Sequence, residues 1–380
     1  MDFSLSKKHL LMQELFRLFA VNEVKPIAAE IDETEEFPYE TVVKLSKYGM
    51  MGIPFPKEYG GTGADNLTYI MCVEELSKVC ATTGIIVSAH SSLCAAPIND
   101  FGTPYQKEKY LSKLTTGEWI GAFGLTEAGA GSDAAGQQTT AVLDGDNYIL
   151  NGTKIFITNA DAAHVHIIVA VTDRSQGTRG LSTFIVEKGT PGFTIGKKEK
   201  KLGIKGSSTC ELIMEDCVVP KESLLGKEGQ GFKIVMTTLN GGRIGVAAQA
   251  LGIAQGAIDI TVDYVRERKQ FNKRLSQFQN TQFELADMQT TVDAARLLVY
   301  RAACMKDRKQ DYSKQAAMAK LFASEASSDI TRRCLQLHGG YGYTREYPIE
   351  RMMRDAKITE IYEGTSEVQK MVVAAAMKLN

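Results

Sequence analysis

Apolar residues recur at intervals of three and four positions in the first third of the chain. Between residues 10 and 27 the positions of this repeat are Leu11, Leu15, Leu18, Phe19 and Val24. Such a spacing places apolar side chains along one face of an α-helix. The same spacing predicts further helices near residues 39–48, 67–79 and 106–113, separated by loops rich in glycine and proline. We therefore predict a helical domain over residues 1–122.

The repeat changes to a period of two between about residues 123 and 220, where β-branched residues accumulate. The dipeptides Asp144-Gly145 and Asn151-Gly152 are typical of hairpin turns. Strands are predicted at 148–150, 154–158, 164–172, 181–187 and 211–214. Because no segment between them is long enough for a crossover helix, we predict an antiparallel barrel or sandwich over residues 123–225.

Helical spacing returns in the last third of the chain. An apolar stripe with spacings of 3, 4, 3 and 4 is formed by Leu285, Met288, Val292, Ala295 and Val299. Residues 229–262 and 313–337 have similar patterns. A helical bundle over residues 226–380 is predicted, with apolar surface for both a core and subunit contacts. The predicted fold class is thus a multi-domain α+β protein, in which an antiparallel β-domain separates two helical domains.

The charge balance excludes some classes of partner. With 44 Lys and Arg against 45 Asp and Glu, the net charge is -1, which excludes strong nonspecific attraction to nucleic acid or anionic membrane. No apolar run has the ~18–20 residues of a membrane span, and the N-terminal residues lack the layout of a signal peptide. The seven cysteines include no CxxC pair, which favours a reducing cytoplasm over a disulfide framework.

Two glycine-rich segments are candidate binding loops. Residues 123–133 combine three glycines with polar side chains, and their exposed N–H groups would suit a phosphate or a flavin carbonyl, although a flexible connector has the same composition. Residues 338–343 follow a predicted helix, so a helix C-cap with a turn explains them equally well. Glu363 lies between an aromatic residue and a glycine and would be a general base if buried.

The histidines and isolated arginines carry weaker signals. His164 and His166 share one strand face, as metal ligands do, but no third ligand accompanies them, so we predict no metal site. His90 and His338 are expected to have packing or capping roles. Arg243 and Arg268 could bind anions, although single arginines usually lie at the surface.

Taken together, these segments resemble the acyl-CoA dehydrogenase family over residues 11–377, most closely its short-chain (butyryl-CoA) branch from anaerobic bacteria. The resemblance is carried by residues 123–133, 154–159, 241–245, 268–271, 336–342 and 355–369. It implies the predicted order of helical, β- and helical domains, with FAD bound between the last two.

The resemblance also implies which residues contact FAD. Two segments would line the flavin ring, and two residues would close the site. A further set would hold the ADP half of the FAD molecule whose flavin ring is bound by a neighbouring subunit. In chain order these residues are Phe123, Leu125, Thr126, Ser132, Phe156, Ile157, Thr158, Arg268, Gln270, Phe271, Gln279, Gln336, Leu337, Gly339, Gly340, Thr365 and Glu367. Phe156 stands where many relatives have Trp, and Asn272 where glycine is usual.

For the substrate, the resemblance implies that Glu363 is the catalytic base, because Gly242, at the alternative position of the base, has no side chain to act. Glu363 would exchange the α-proton of a CoA thioester while hydride moves between the β-carbon and FAD. The implied thioester contacts are Ser132, Asn240, Gly241, Gly242, Arg243 and Gly364. Asn240 replaces the usual aspartate, and residues 81–97 would line the acyl pocket.

The implied activity is dehydrogenation of a short-chain acyl-CoA or reduction of a 2-enoyl-CoA by a cytoplasmic homotetramer that exchanges electrons with an electron-transferring flavoprotein. The direction and the acyl group stay open. Reduction of acryloyl-CoA, or of an aryl-acrylyl-CoA such as caffeoyl-CoA, is an alternative. A flavin oxidase or monooxygenase on the same fold is another, and a non-catalytic helical adaptor is an alternative of a different class.

Overall fold

A computed structural model describes residues 4–378 of the chain. The first part is helical, as predicted, and its helices are α1 (Lys7–Phe19), α2 (Ala28–Thr34), α3 (Tyr39–Lys47), α4 (Asn66–Ser77), α5 (Ala81–Ala89), α6 (Ala96–Phe101), α7 (Pro104–Gln106) and α8 (Ser112–Thr115). Polar side chains begin the longer helices. Asp65, for example, accepts a hydrogen bond from Thr68 N at 2.8 Å and caps α4.

The middle part forms one eight-stranded sheet. Its strands are β1 (Gly121–Gly124), β2 (Thr140–Asp144), β3 (Asn147–Ile157), β4 (Val165–Val171), β5 (Leu181–Glu187), β6 (Phe193–Lys198), β7 (Cys210–Pro220) and β8 (Leu224–Leu225). The strand order is β6-β7-β3-β2-β4-β5-β8, and β1 pairs with β4. The hairpin of β2 and β3 turns at Gly145, whose φ of 57° requires the left-handed region that glycine adopts without strain.

Two details of the predicted sheet were wrong. The sheet is mostly antiparallel, but β1 pairs with β4 in parallel, with Gly121 opposite Val165, and β2 meets β4 in parallel at one position. The predicted strands 148–150 and 154–158 are one strand, β3, which has an irregular register against β7 near Gly152. Strands β1, β2, β6 and β8 had not been predicted, because their residues do not alternate between buried and exposed positions.

The last part is the predicted helical bundle. After α9 (Gly231–Glu267) a short hairpin of β9 (Lys269–Gln270) and β10 (Lys273–Arg274) precedes α10 (Gln279–Asp307), α11 (Ser313–His338), α12 (Ile349–Ile358) and α13 (Ser366–Ala376). The predicted stripe on α10 is confirmed, because Met288, Val292, Ala295 and Val299 are buried. Helix α9 packs closely on α4, since a side chain at Gly252 would collide with Glu74 O.

Three apolar clusters meet near β1. One joins α4, α5 and the helices of the last domain, and a second lies within the sheet. The third lies where residues 94–114 and strands β1, β4 and β5 pack with the start of α9. The third includes Phe123, Leu125, Ile234 and Val235. The junction of all three parts of the chain is therefore tightly packed, and the cavity described below opens beside it.

Two helical stretches of the described chain have the length and mean hydropathy of a membrane span. They are Ala81–Phe101 and Gly231–Glu267, and 89% of the most apolar window of each is buried inside the protein. Both stretches pack against other helices and form part of the core, which accounts for their apolar composition.

Candidate active site

A cavity of about 370 Å³ lies at the junction of the sheet with α5, α9 and α13. Most of the residues predicted to contact the flavin ring line it, together with part of the predicted thioester set. These are Phe123, Leu125, Thr126, Ser132, Phe156, Ile157, Thr158, Arg243, Glu363 and Gly364. Ile85, Ala89 and Leu93 complete the wall from the segment predicted to form the acyl pocket. The structure thus brings together residues such as Ile85 and Gly364, which are 279 positions apart in the chain.

Glu363 reaches this cavity because the chain reverses between α12 and α13. Glu363 and Gly364 both have left-handed backbones, with φ of 53° and 96°. This conformation is costly for a glutamate and persists only where neighbouring contacts hold it. Gln369 supplies such contacts, because its Nε2 donates to Gly364 O at 2.7 Å and to Glu363 O at 3.3 Å. Thr365 then caps α13 through its side chain.

The Glu363 carboxyl group has the environment of a general base. Its Oε2 is buried without a hydrogen-bond partner in residues 4–378. Burial raises the pKa of Glu363 to about 7, and the positive charges of Lys320 and Arg243 oppose this rise. A base whose pKa lies near neutrality is ionised often enough to accept a proton and basic enough to hold it.

Gly242 makes room for this carboxyl group. A Cβ built at Gly242 would fall on Glu363 Oε2 and would crowd Leu93. Glycine is therefore required at this position of α9 for the carboxylate to occupy its place. Gly242 itself does not line the cavity, and neither do Asn240 and Gly241.

Arg243 contributes a buried positive charge at the cavity wall, and its Nε has no hydrogen-bond partner within the described residues. Its Nη1 donates to Asn240 Oδ1 at 2.6 Å. Asn240 Nδ2 donates in turn to Ser313 Oγ at 3.1 Å. Asn240 therefore links α9 to the start of α11 and orients Arg243, although its amide adds no negative charge.

Phe156 presents its ring to the open side of the cavity. Its φ is 59°, and the residue is 60% exposed although it lies within β3. The neighbouring Ile155 N donates to Thr126 O at 2.8 Å, which joins β3 to the glycine-rich loop after β1. An aromatic face held open beside two loops matches the surface that a flat ring system requires.

Behind this wall lies an ion pair that the sequence had not indicated. Lys154 is fully buried, and its Nζ donates to Glu127 Oε1 and to Gln137 Oε1, both at 2.6 Å. The Glu127 carboxylate also accepts hydrogen bonds from Gln138 N and Thr139 N. Burial lowers the pKa of Lys154 to about 8, and Glu127 opposes this shift. The cluster links β3 to Glu127 and Gln137, near the two ends of the segment between β1 and β2.

The residues predicted to hold an ADP group lie elsewhere. Arg268, Gln270, Leu337, Gly339 and Gly340 line a separate, more open cavity of about 530 Å³, which has no lining residue in common with the first. The Arg268 guanidinium lies 5.3 Å from the centre of the Tyr341 ring. Both glycines have open space where a Cβ would stand.

The other predicted cofactor residues line neither cavity. Phe271 is 88% exposed, Gln279, Gln336 and Glu367 lie at the surface, and Thr365 is partly buried as the cap of α13. Asn272 has a φ of 61°, in the left-handed region that asparagine tolerates better than most residues. This conformation accounts for an asparagine at a position where glycine is usual.

The histidines have the structural surroundings expected of packed side chains. His90 accepts from Gly121 N and contacts Leu114 O, His166 contacts Ala160 O, and the His164 ring stacks on Trp119. His338 ends α11 and stacks on Tyr264. Within residues 4–378 no group of three or more His, Cys, Asp or Glu side chains is placed to hold a metal ion.

Comparison with known protein families covers nearly the whole chain. Residues 6–118 match the family model described as the acyl-CoA dehydrogenase N-terminal domain, 122–217 the middle domain and 229–378 the C-terminal domain. The short-chain specific acyl-CoA dehydrogenase of Clostridium acetobutylicum is 60% identical over 374 residues, which are 98% of this chain and 99% of that protein.

Two solved structures superimpose on the entire chain. Butyryl-CoA dehydrogenase from Megasphaera elsdenii has a TM-score of 0.98 and 50% identity, with full coverage of both chains. A chain from a structure described as the electron transferring flavoprotein of Acidaminococcus fermentans, in a study of flavin-based electron bifurcation, has a TM-score of 0.99 and 54% identity, again with full coverage.

Proposed function

The chain belongs to the acyl-CoA dehydrogenase family, and from this premise we propose that it interconverts a short-chain acyl-CoA and the matching 2-enoyl-CoA. The single observation that carries the proposal is the Glu363 carboxyl group, whose Oε2 is buried beside an open cavity with no hydrogen-bond partner among residues 4–378. An unpaired buried carboxylate destabilises a fold. A non-catalytic adaptor would have no reason to keep it, whereas removal of an α-proton requires it.

The residues at the cavity fit the flavin of FAD, the cofactor of this family. The Phe156 ring, the Thr158 side chain and the loop from Phe123 to Ser132 offer one aromatic face and several polar groups to a flat ring. When bound, FAD accepts the hydride that leaves the substrate β-carbon or returns it in the reverse reaction. The chain itself binds the substrate and the cofactor, orients them and excludes water from the site.

Glu363 supplies two groups to the reaction. Its carboxylate takes the α-proton of the thioester in dehydrogenation and returns it in reduction. Its backbone N–H makes no hydrogen bond to the rest of residues 4–378, so it is free to donate to the thioester carbonyl as negative charge develops there. Base and oxyanion donor therefore belong to one residue, and the left-handed turn orients both.

Substrate choice follows from the space beside Glu363. Ile85, Ala89 and Leu93 limit the cavity, whose 370 Å³ must hold both a flavin ring and a thioester. We expect turnover with an artificial electron acceptor to be fastest for four-carbon acyl-CoA and to fall for eight carbons and longer. Steady-state rates over a panel of saturated, enoyl and aryl-acrylyl thioesters will measure this. Faster turnover of long or aryl chains would refute the short-chain proposal.

The electron partner is proposed to be an electron-transferring flavoprotein. The support is the high similarity to the Acidaminococcus fermentans chain, which is described with such a flavoprotein. Reduction of crotonyl-CoA by a reduced flavoprotein of this class, compared with oxidation of butyryl-CoA by its oxidised form, will show which direction is faster.

The second cavity points to an oligomer in which FAD is shared. Arg268 and Gly339 line a cavity separate from that of Glu363, so we propose that they hold the ADP half of FAD in a neighbouring subunit of a homotetramer. Light scattering should give a mass near four chains. Arg268→Ala should lose FAD, while Glu363→Gln should keep FAD and turn over at least about 10²-fold more slowly.

Co-expression of Arg268→Ala and Glu363→Gln chains will test the sharing directly. A mixed oligomer contains sites with an intact Glu363 from one chain and an intact Arg268 from the other, so activity should return. If FAD were held within one chain, every site of the mixed oligomer would lack one group and activity would stay absent.

A further inference from the structure

Lys320, on α11, has an unusual environment for a lysine. Its side chain is fully buried, yet in the described part of the chain no carboxylate lies within ion-pair distance of its Nζ. The Nζ donates instead to the backbone carbonyl of Gly364 at 2.8 Å. Burying an ammonium group without a counter-charge is costly, so a specific role has to be sought in what it contacts.

The contact lies on the turn that carries Glu363. Gly364 O accepts from Lys320 Nζ and also from Gln369 Nε2 at 2.7 Å. Two donors from different helices, α11 and α13, thus converge on one carbonyl. Because Glu363 and Gly364 have φ values of 53° and 96°, this turn depends on such tertiary contacts to persist.

Lys320 also adds charge near the Glu363 carboxyl group. The charged groups that act on the pKa of Glu363 are Lys320 from α11 and Arg243 from α9. Burial raises the pKa of the hydroxyls of Tyr69 from α4 and of neighbouring Tyr362, and Glu363 in turn adds to this rise. Glu360 and Glu367 act on Lys320 from the same turn region. Burial favours the neutral carboxylic acid, and the two cations favour the carboxylate.

We propose that Lys320 is a positioning residue for the reaction: it fixes the Gly364 carbonyl and keeps the adjacent Glu363 carboxyl group ionised at the pH of turnover. The proposal rests on the proposed function of Glu363 as the base. Burial lowers the pKa of Lys320 to about 8, so the ammonium is charged over the range in which Glu363 titrates.

The pH profile of Lys320→Met tests this role. Without the cation, the acid limb of dehydrogenation should move up by about one pH unit. At about pH 6 the rate should then be roughly tenfold below that of the unchanged protein, since each pH unit below the pKa lowers the ionised fraction tenfold. Above about pH 9 the difference that comes from ionisation should vanish, because by then Glu363 is ionised in both proteins. A rate difference that persists there measures the loss of the hydrogen bond to the Gly364 carbonyl.

Two matched variants accompany it. Lys320→Arg keeps the charge and should restore the profile in large part. Lys370→Met removes a lysine of α13 that is half-exposed and pairs with Glu325, and it should leave the profile unchanged. The melting temperature of Lys320→Met should change little, because Gln369 still donates to the Gly364 carbonyl and the loss of the Lys320 hydrogen bond is offset by no longer burying an ammonium group.

An infrared titration provides a readout independent of turnover. The carboxylic acid band that is present in the unchanged protein and absent in Glu363→Gln reports the protonation of Glu363, and its midpoint should rise in Lys320→Met. An unchanged midpoint and pH profile would overturn the role of Lys320. If instead Glu363→Gln turns over normally, the proposed function of Glu363 fails, whatever Lys320 does.

Discussion

Glu363→Gln is expected to slow the bleaching of bound flavin by an acyl-CoA at least about 10²-fold, because a positioned base contributes roughly 10²–10⁴-fold to proton transfer. Glutamine keeps the size of the side chain but cannot accept the α-proton. The substitution leaves Phe156 and the other residues that would contact the flavin unchanged, so FAD should be retained. Stopped-flow absorbance after mixing with butyryl-CoA will measure the rate.

The matched control is Glu325→Gln, which makes the same change on a half-exposed carboxylate of α11 outside both cavities. It should bleach at the unchanged rate. Reduction of the enoyl-CoA should be slowed by Glu363→Gln to a similar extent, because the same proton moves in reverse. A normal bleaching rate in Glu363→Gln would mean that another residue is the base.

Lys154→Met is expected to have the largest effect on stability. The change leaves the Glu127 carboxylate buried without its cation, and breaking a buried ion pair in this way costs about 3–5 kcal/mol. Lys154 also joins β3 to Gln137, so the loop that faces the flavin should loosen and FAD binding should weaken. Chemical denaturation and the fluorescence titration of apoprotein with FAD will measure the two effects.

Lys188→Met serves as the control for this prediction. Lys188 pairs with Asp161 at 3.0 Å at the surface, with both side chains about half exposed. Such pairs contribute about 0–1 kcal/mol, so the denaturation midpoint should barely change. Glu127→Gln with Lys154→Met should recover part of the lost stability, since no charge is then left unpaired. Equal effects of Lys154→Met and Lys188→Met would contradict a structural role for the buried pair.

The order of the helical, β- and helical parts of the chain could be predicted because it depends on short-range periodicity. The stripe that includes Met288 and Val299 repeats every three or four residues, and such a repeat records burial along one face of a helix. The glycine-rich loop after β1 and Glu363 were identified from local composition, and their roles were predicted from the family resemblance. Each is a local feature of a few consecutive residues.

Tertiary structure alone decided the electrostatics of the site. Lys154 and Glu127 are 27 positions apart, and Lys320 and Gly364 are 44 apart, so no short-range pattern relates them. Tertiary packing also decided three other features. They are the space that Gly242 leaves for Glu363, the parallel pairing of β1 and the division of the cofactor residues between two cavities. Burial and pairing of charges depend on which distant segments pack together, and periodicity along the chain does not report that packing.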